Sequence, residues 1–234
     1  MIVLVGPGLD DGTRCKKLAA QLDHDQRVVR VHRRQYQSDI ACTIAQEVEE
    51  VLSLVTEPAV IYGHSSGGVV ALEALVAKPE VFTGAVIFEP AAVIGPPLAS
   101  KELLARARAA RPGKAMEIFT RDVVGLPAWQ AKAVGLFVSL TPGYRRLVPR
   151  QLDDLQALDE LGNRLDVYAQ ITVPTVLLGG DRSPTHMAAR LDAIEHVLPN
   201  IQRVVMPGRD HGADLKAPEE VARVIRHAAA IRVK

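Results

Sequence analysis

A chain of 234 residues, 48% of them hydrophobic, can bury a sizeable core, and its length suits one α/β domain spanning residues 1–234 better than two small ones. The 28 basic and 27 acidic side chains leave a formal net charge of +1, without the concentrated basic excess by which a chain holds nucleic acid or a charged membrane, so a small molecule is the expected partner. Cys15 and Cys42 have no metal-ligand spacing and argue against a disulfide framework, which together with an opening too short in its apolar run for a signal peptide points to the cytoplasm.

Continuous β-branched or apolar runs stand at IVLV (2–5), RVVRV (27–31), AVIY (59–62), AVIF (85–88), TVLL (175–178) and RVVM (203–206), and each reads as a buried strand. Helical patterns lie between most of them: Thr13 to Leu22, Ile40 to Leu54, Gly68 to Ala77, Met187 to Leu198, and Glu219 to about Ile231. Such alternation implies βαβ crossovers and a mostly parallel sheet of about six strands with helices on both faces. Residues about 95–170 are the exception. They are helical in composition, interrupted by Pro112, Gly113, Pro127, Pro142 and Pro149, and hold no convincing strand. An insertion of that length ahead of a strand suggests a helical lid, in which Trp129, Leu136 and Phe137 are candidate pocket residues, with ordinary helix packing an equal reading. No segment reaches the ~18 apolar residues of a bilayer span.

The junction AVIYGHSSGGVVALEAL (59–75) runs from a strand through small residues straight into a helix. Gly63-His64-Ser65-Ser66-Gly67 has the G-x-S-x-G spacing in the strand–turn–helix context that gives the motif meaning. A sharp turn there would expose the Ser65 hydroxyl beyond the sheet, with the helix N-terminus supplying a positive dipole end. A plain turn serine is the reading that fits Ser66 better than Ser65. A serine nucleophile needs a histidine base, and His211, in VVMPGRDHG, falls in the loop after the last expected strand, on the side where strand C-termini gather. His186, His196 and His227 sit in or beside helical patterns and read as surface residues; His24 and His32 precede the serine, and His64 reads as a packing residue.

In this order of serine and histidine, and in the segments YGHSSGGVVALEAL, VIFEPAA, IFTRDVVGLP, VPTVLLGGDRSP and VMPGRDHG, the chain resembles the α/β-hydrolase superfamily over nearly its whole length. The resemblance implies a Ser-His-acid enzyme that needs no cofactor and no metal. Asp181, after TVLL, is close to that superfamily's usual place for the acid; Glu89, at the end of AVIF, is the alternative. The usual antiparallel hairpin ahead of the oxyanion strand has no counterpart, which would leave RVVRVHRR at a sheet edge. The oxyanion loop, commonly His-Gly-x, reads GPGL, and aligned as Pro7-Gly8-Leu9 it offers the backbone N–H of Leu9 beside that of Ser66; an alignment one step earlier would put Pro7, which has no N–H, at the donor position.

These readings converge on a serine hydrolase cleaving an ester, thioester or lactone of a small to medium apolar acyl compound. Lyase, C–C bond cleavage or acyl transfer on the same fold, and a ligand receptor without turnover, are the alternatives; the sequence allows a homodimer. A dinucleotide site built on IVLVGPGLDDGT and VHRR is a rival, opposed by Asp10 and Asp11 at the place of the pyrophosphate.

Overall fold

All six apolar runs are strands. The computed structural model, which describes residues 1–10, 12–22, 26–37 and 39–230, has them as β1 (Ile2–Val5), β2 (Val28–Val31), β3 (Ala59–His64), β4 (Phe82–Phe88), β5 (Thr175–Gly180) and β6 (Ile201–Met206). They pair in parallel throughout, in the order β2-β1-β3-β4-β5-β6. The β2 strand therefore lies at one edge, where Arg27 and Arg30 are turned to internal partners, Thr56 Oγ1 and the Gly12 carbonyl.

The runs of β1, β3, β4 and β5 are continuous rather than alternating because both faces of the sheet are covered there, whereas the edge strands β2 and β6 are only partly buried. Val3, Val5, Ile61 and Ile87 point into one core, and Ile2, Leu4, Val60, Tyr62, Val86 and Phe88 into the other. Each such side chain, wholly withdrawn from water, contributes about 1.5–3 kcal/mol. The first core is closed by α3 (Ile44–Leu54), α4 (Ser66–Ala77) and α10 (Thr185–Val197), the second by α1 (Lys16–Leu22) and α12 (Pro218–Ala230). Two single-turn helices, α2 (Arg34–Gln37) and α11 (Ala213–Lys216), sit in the loops after β2 and β6.

Helix starts differ from the expected ones where capping decides them. Thr43 accepts from the Gln46 N–H while the Gln46 side chain reaches back to the Thr43 N–H, a capping box that starts α3 at Ile44 and leaves Ile40 exposed. The expected helix end at Ile231 lies outside the described residues, as do Asp11 and His24.

Between β4 and β5 stand α5 (Lys101–Arg108), α6 (Pro112–Asp122), α7 (Ala128–Leu140), α8 (Pro142–Leu161) and α9 (Leu165–Tyr168). The prolines begin helices here more than they break them. Pro112 and Pro142 occupy the first turns of α6 and α8, where a missing N–H leaves no bond unmade, and Pro127 precedes α7. Only Pro149 lies inside a helix. Among the described residues no helix is long and apolar enough to cross a membrane.

Candidate active site

The β3 strand ends at His64 and α4 begins at Ser66, so Ser65 is the single residue of the turn. Its φ of 55° and ψ of −122° are unfavourable for any residue with a Cβ, at about 1–3 kcal/mol. Three backbone bonds hold it there: Ser65 N–H donates to the Phe88 carbonyl at 3.0 Å, and the Ser65 carbonyl accepts from Gly68 and Ala91. Glycine is required on each side by close approach. A Cβ on Gly67 would stand 2.1 Å from the Gly6 carbonyl oxygen, and one on Gly63 2.5 Å from the Ala71 methyl carbon.

Among the described non-glycine residues positive φ occurs at Leu9, Ser65 and Glu89, and all three line one cavity. They follow β1, β3 and β4, which are neighbours in the sheet. Backbone strain thus collects where three adjacent strands end.

His211 lies in the loop between β6 and α11 and also lines the cavity. Its Nδ1 is 2.7 Å from Glu89 Oε2, while Glu89 Oε1 accepts from the Gly180 N–H at 2.8 Å. Burial alone would raise the Glu89 pKa, but the bonds from His211 and Gly180 outweigh it and hold this carboxyl below the usual range. Asp181, the carboxylate expected beside His211, is elsewhere. Its Oδ1 accepts from the Gly208 N–H at 2.7 Å and so caps the turn after β6, in an exposed position. His211 thus pairs with Glu89 and Asp181 does not: the loop after β6 brings His211 to the end of β4, and the Asp181 side chain is engaged by that loop's own backbone.

His64 is wholly buried, stacked on the Phe88 ring at 4.5 Å with a 15° interplanar angle, and its ring centroid is 4.5 Å from that of His211. Its Nδ1 is 3.3 Å from Asp214 Oδ2 without the alignment of a direct hydrogen bond. Burial lowers the His64 pKa to about 4, so the ring is neutral at pH 7. Asp214 is held well below the ordinary carboxylate range against the opposing effect of burial, by His64 and by the two bonds of Arg14 at 2.8 and 2.9 Å.

Arg33, noted in the sequence only as part of VHRR, is a central support of the site. It is 1% exposed, and its guanidinium bonds Glu47 of α3 at 2.6 Å, Asp154 of α8 at 2.6 and 3.1 Å, and Ser66 Oγ at 2.7 Å. Tyr36 adds a hydroxyl bond to Asp154 at 3.0 Å, and the Leu9 backbone N–H lies beside that hydroxyl. These bonds leave no role for Arg33 on a dinucleotide. The Gly-rich opening is likewise closed on its own Asp10, whose Oδ1 accepts from the N–H groups of Gly12 and Arg14. An arginine in the polar run HRRQYQSD after a strand carries no sequence signal that would separate it from a surface residue.

The cavity has a volume of about 270 Å³. Ser65, Ser66, Leu9 and His211 form its floor residues from the strand ends, and Met116, Phe119 and Val134 of α6 and α7 are among its apolar walls. His186 and Arg190 of α10 also line it, so His186 is not the surface residue its helical setting suggested. Trp129, Leu136 and Phe137 do not: they are 72%, 61% and 54% exposed on the outer side of α7.

The fold has counterparts among solved structures. An alpha/beta hydrolase from Sphaerobacter thermophilus superposes with a TM-score of 0.83 at 22% identity, covering 98% of this chain and 92% of that one. Carboxylesterase CesB from Bacillus subtilis gives 0.70 at 19%, over 99% and 84% of the two chains. Est816, described as an N-acyl homoserine lactone degrading enzyme, gives 0.74 at 18%, over 97% and 92%. No curated protein matches the chain. A family model described as "Alpha/beta hydrolase family" matches residues 3–224, which takes in β2 to β6 and all of β1 but Ile2, with both the turn at Ser65 and the loop of His211: the chain belongs to the alpha/beta hydrolase family.

Proposed function

We propose that this protein is a serine hydrolase that cleaves a carboxylic ester, thioester or lactone of a small to medium apolar compound through an acyl-enzyme. The observation that carries the reading is the 2.7 Å contact of His211 Nδ1 with an ionised, buried Glu89 in the cavity that Ser65 enters from a strained turn. With Nδ1–H donated to Glu89, the other ring nitrogen of His211 is left to accept a proton.

In this mechanism Ser65 Oγ attacks the carbonyl carbon as His211 takes its proton. The carbonyl oxygen becomes an oxyanion held by the backbone N–H groups of Ser66 and Leu9, of which Ser66 has the positive end of α4 behind it. Leu9 must share its N–H with the Tyr36 hydroxyl, so Ser66 is the stronger donor. Collapse expels the alcohol, thiol or ring oxygen, which receives the proton from His211. Water, deprotonated by the same histidine, then attacks the acyl-enzyme and frees Ser65. Glu89 stays ionised throughout, fixing the imidazole tautomer and stabilising the imidazolium.

The helices from about residue 95 to 170 act as a lid, since Phe119 and Val134 wall the cavity and keep water from the acyl group. A volume of about 270 Å³ lies at the small end of ligand cavities and favours short to medium acyl chains. A fluorophosphonate probe with a panel of p-nitrophenyl esters of rising chain length tests the proposal. Covalent labelling at Ser65 with turnover of some ester is expected; labelling without turnover would favour a receptor, and no labelling would sink the nucleophile.

A further inference from the structure

Helix α7, AWQAKAVGLFVSL, is apolar on both sides, and the fold uses one of them. Its inner side carries Ala131 and Val138, both buried, and Gly135, where a Cβ would stand 2.6 Å from the Gly113 carbonyl oxygen of α6. Its outer side carries Trp129, Leu136, Phe137 and Leu140, exposed by 72%, 61%, 54% and 73%. The spacing i, i+7, i+8, i+11 puts these four on one stripe, with Ala133 between them. Four of the seven large apolar side chains that stand exposed among the described residues are therefore on one helix face, whereas singly scattered ones would need no explanation.

Along the chain the charge on either side of the stripe is one-sided, and the acidic group that reaches Lys132 from α6 is Glu117. From residue 123 to residue 152 the chain has no acidic residue and four basic ones, Lys132, Arg145, Arg146 and Arg150. Arg150 is engaged by Asp153 at 2.7 Å; Lys132 and Arg145 are exposed. Lys132 falls at the margin of the stripe, and Tyr144, next to Arg145, packs on Phe137 with ring centroids 5.2 Å apart. The net charge of +1 over the whole chain conceals this local excess.

We propose that the outer face of α7 docks on an anionic lipid surface. The helix would lie in the headgroup plane, with Trp129, Leu136, Phe137 and Leu140 in the acyl boundary and Lys132 and Arg145 among the phosphates. A second copy of the chain fits less well, because a two-fold contact sets a patch against itself and would bring its basic groups together. The opposite side of α7 supplies Val134 to the cavity wall, so docking would hold the cavity close to lipid-dissolved esters, a consequence that rests on the hydrolase reading. The docking itself needs no catalysis.

Cosedimentation of the full chain with vesicles tests this. We expect binding to phosphatidylcholine vesicles containing about one third phosphatidylglycerol, loss of most binding at ~1 M salt, and a blue shift of Trp129, the single tryptophan. The pair Lys132→Glu and Arg145→Glu should lower partitioning by about tenfold or more, and Leu136→Ser with Leu140→Ser comparably. Unchanged thermal melts would show that these surface variants fold. Failure to sediment, equal binding to pure phosphatidylcholine, or a dimer by light scattering that Leu136→Ser and Leu140→Ser dissociate would each overturn the proposal. Fluorophosphonate labelling of Ser65, measured separately, tells failure of docking from failure of the hydrolase reading.

Discussion

Arg33 donates through Nη1 to Ser66 Oγ at 2.7 Å, and through the same guanidinium it holds Asp154, so helix α8 of the insertion and the turn beside Ser65 share one buried cation. Glu47 of α3 completes the cluster. Removing the cation would strand two carboxylates away from water. Arg33→Met should therefore destabilise the protein by about 3–5 kcal/mol in urea unfolding, whereas Ser66→Ala, which removes one hydroxyl acceptor and keeps the backbone N–H, should lose about 1–2 kcal/mol and retain much of the ester turnover. Equal losses for the two variants would show that the cluster does not act through Arg33.

The carboxylates at the ends of β4 and β5 have separable expected effects. Glu89→Gln should depress kcat by up to about ten-thousandfold with little change in KM, because the histidine loses its orienting anion. Asp181→Asn should leave kcat nearly unchanged and weaken the turn at Gly208, at about 1 kcal/mol. Kinetics on the best ester from the panel, with Ser65→Ala as the inactive reference, give the ranking; the reverse order would place the acid at Asp181.

Acidification should act through His64. The unfolded chain protonates this ring at its ordinary pKa of 6.5 and the folded chain near 4, so between these values the unfolded state binds more protons and stability falls as the pH falls. Across that window the loss amounts to about 3 kcal/mol. Urea midpoints measured from pH 7 to pH 4 should decline in the native chain and decline less in His64→Phe, which keeps a ring on Phe88 and removes the titrating nitrogens. Parallel declines would assign the acid sensitivity to other groups.

Val134, on the inner side of α7, offers control over chain length. Val134→Trp should fill part of the cavity and shift the kcat/KM optimum toward shorter p-nitrophenyl esters by about 10- to 100-fold, while labelling of Ser65 by a small phosphonate persists. A uniform loss over all chain lengths would mean that Val134 does not bound the acyl site.

How much of this was legible in the sequence differs by element. Strands show themselves by continuous β-branched runs, because the inner strands of a parallel sheet covered on both faces need apolar side chains at nearly every position, and all six runs from IVLV to RVVM are strands, with the edge strands β2 and β6 only partly buried. The turn at Ser65 leaves a five-residue signature although its contacts are partly distant: Gly63 is demanded by the Gly67 carbonyl and the Ala71 methyl of the helix that follows, and Gly67 by the Gly6 carbonyl after β1. The partner of His211 is not local. Asp181 and Glu89 each follow a strand of the same sheet, and the choice between them depends on how far the loop after β6 reaches and on which backbone N–H groups engage each carboxylate, Gly208 for one and Gly180 for the other. Arg33 meets Asp154 across 121 positions of chain, and α7 shows one apolar side to the cavity wall and the other to solvent. Composition and spacing determined the strands and the serine turn because each leaves a short residue pattern in the chain; the partner of His211, the buried arginine and the exposed face of α7 were decided by tertiary packing, since contacts between distant segments leave no periodic trace along the chain.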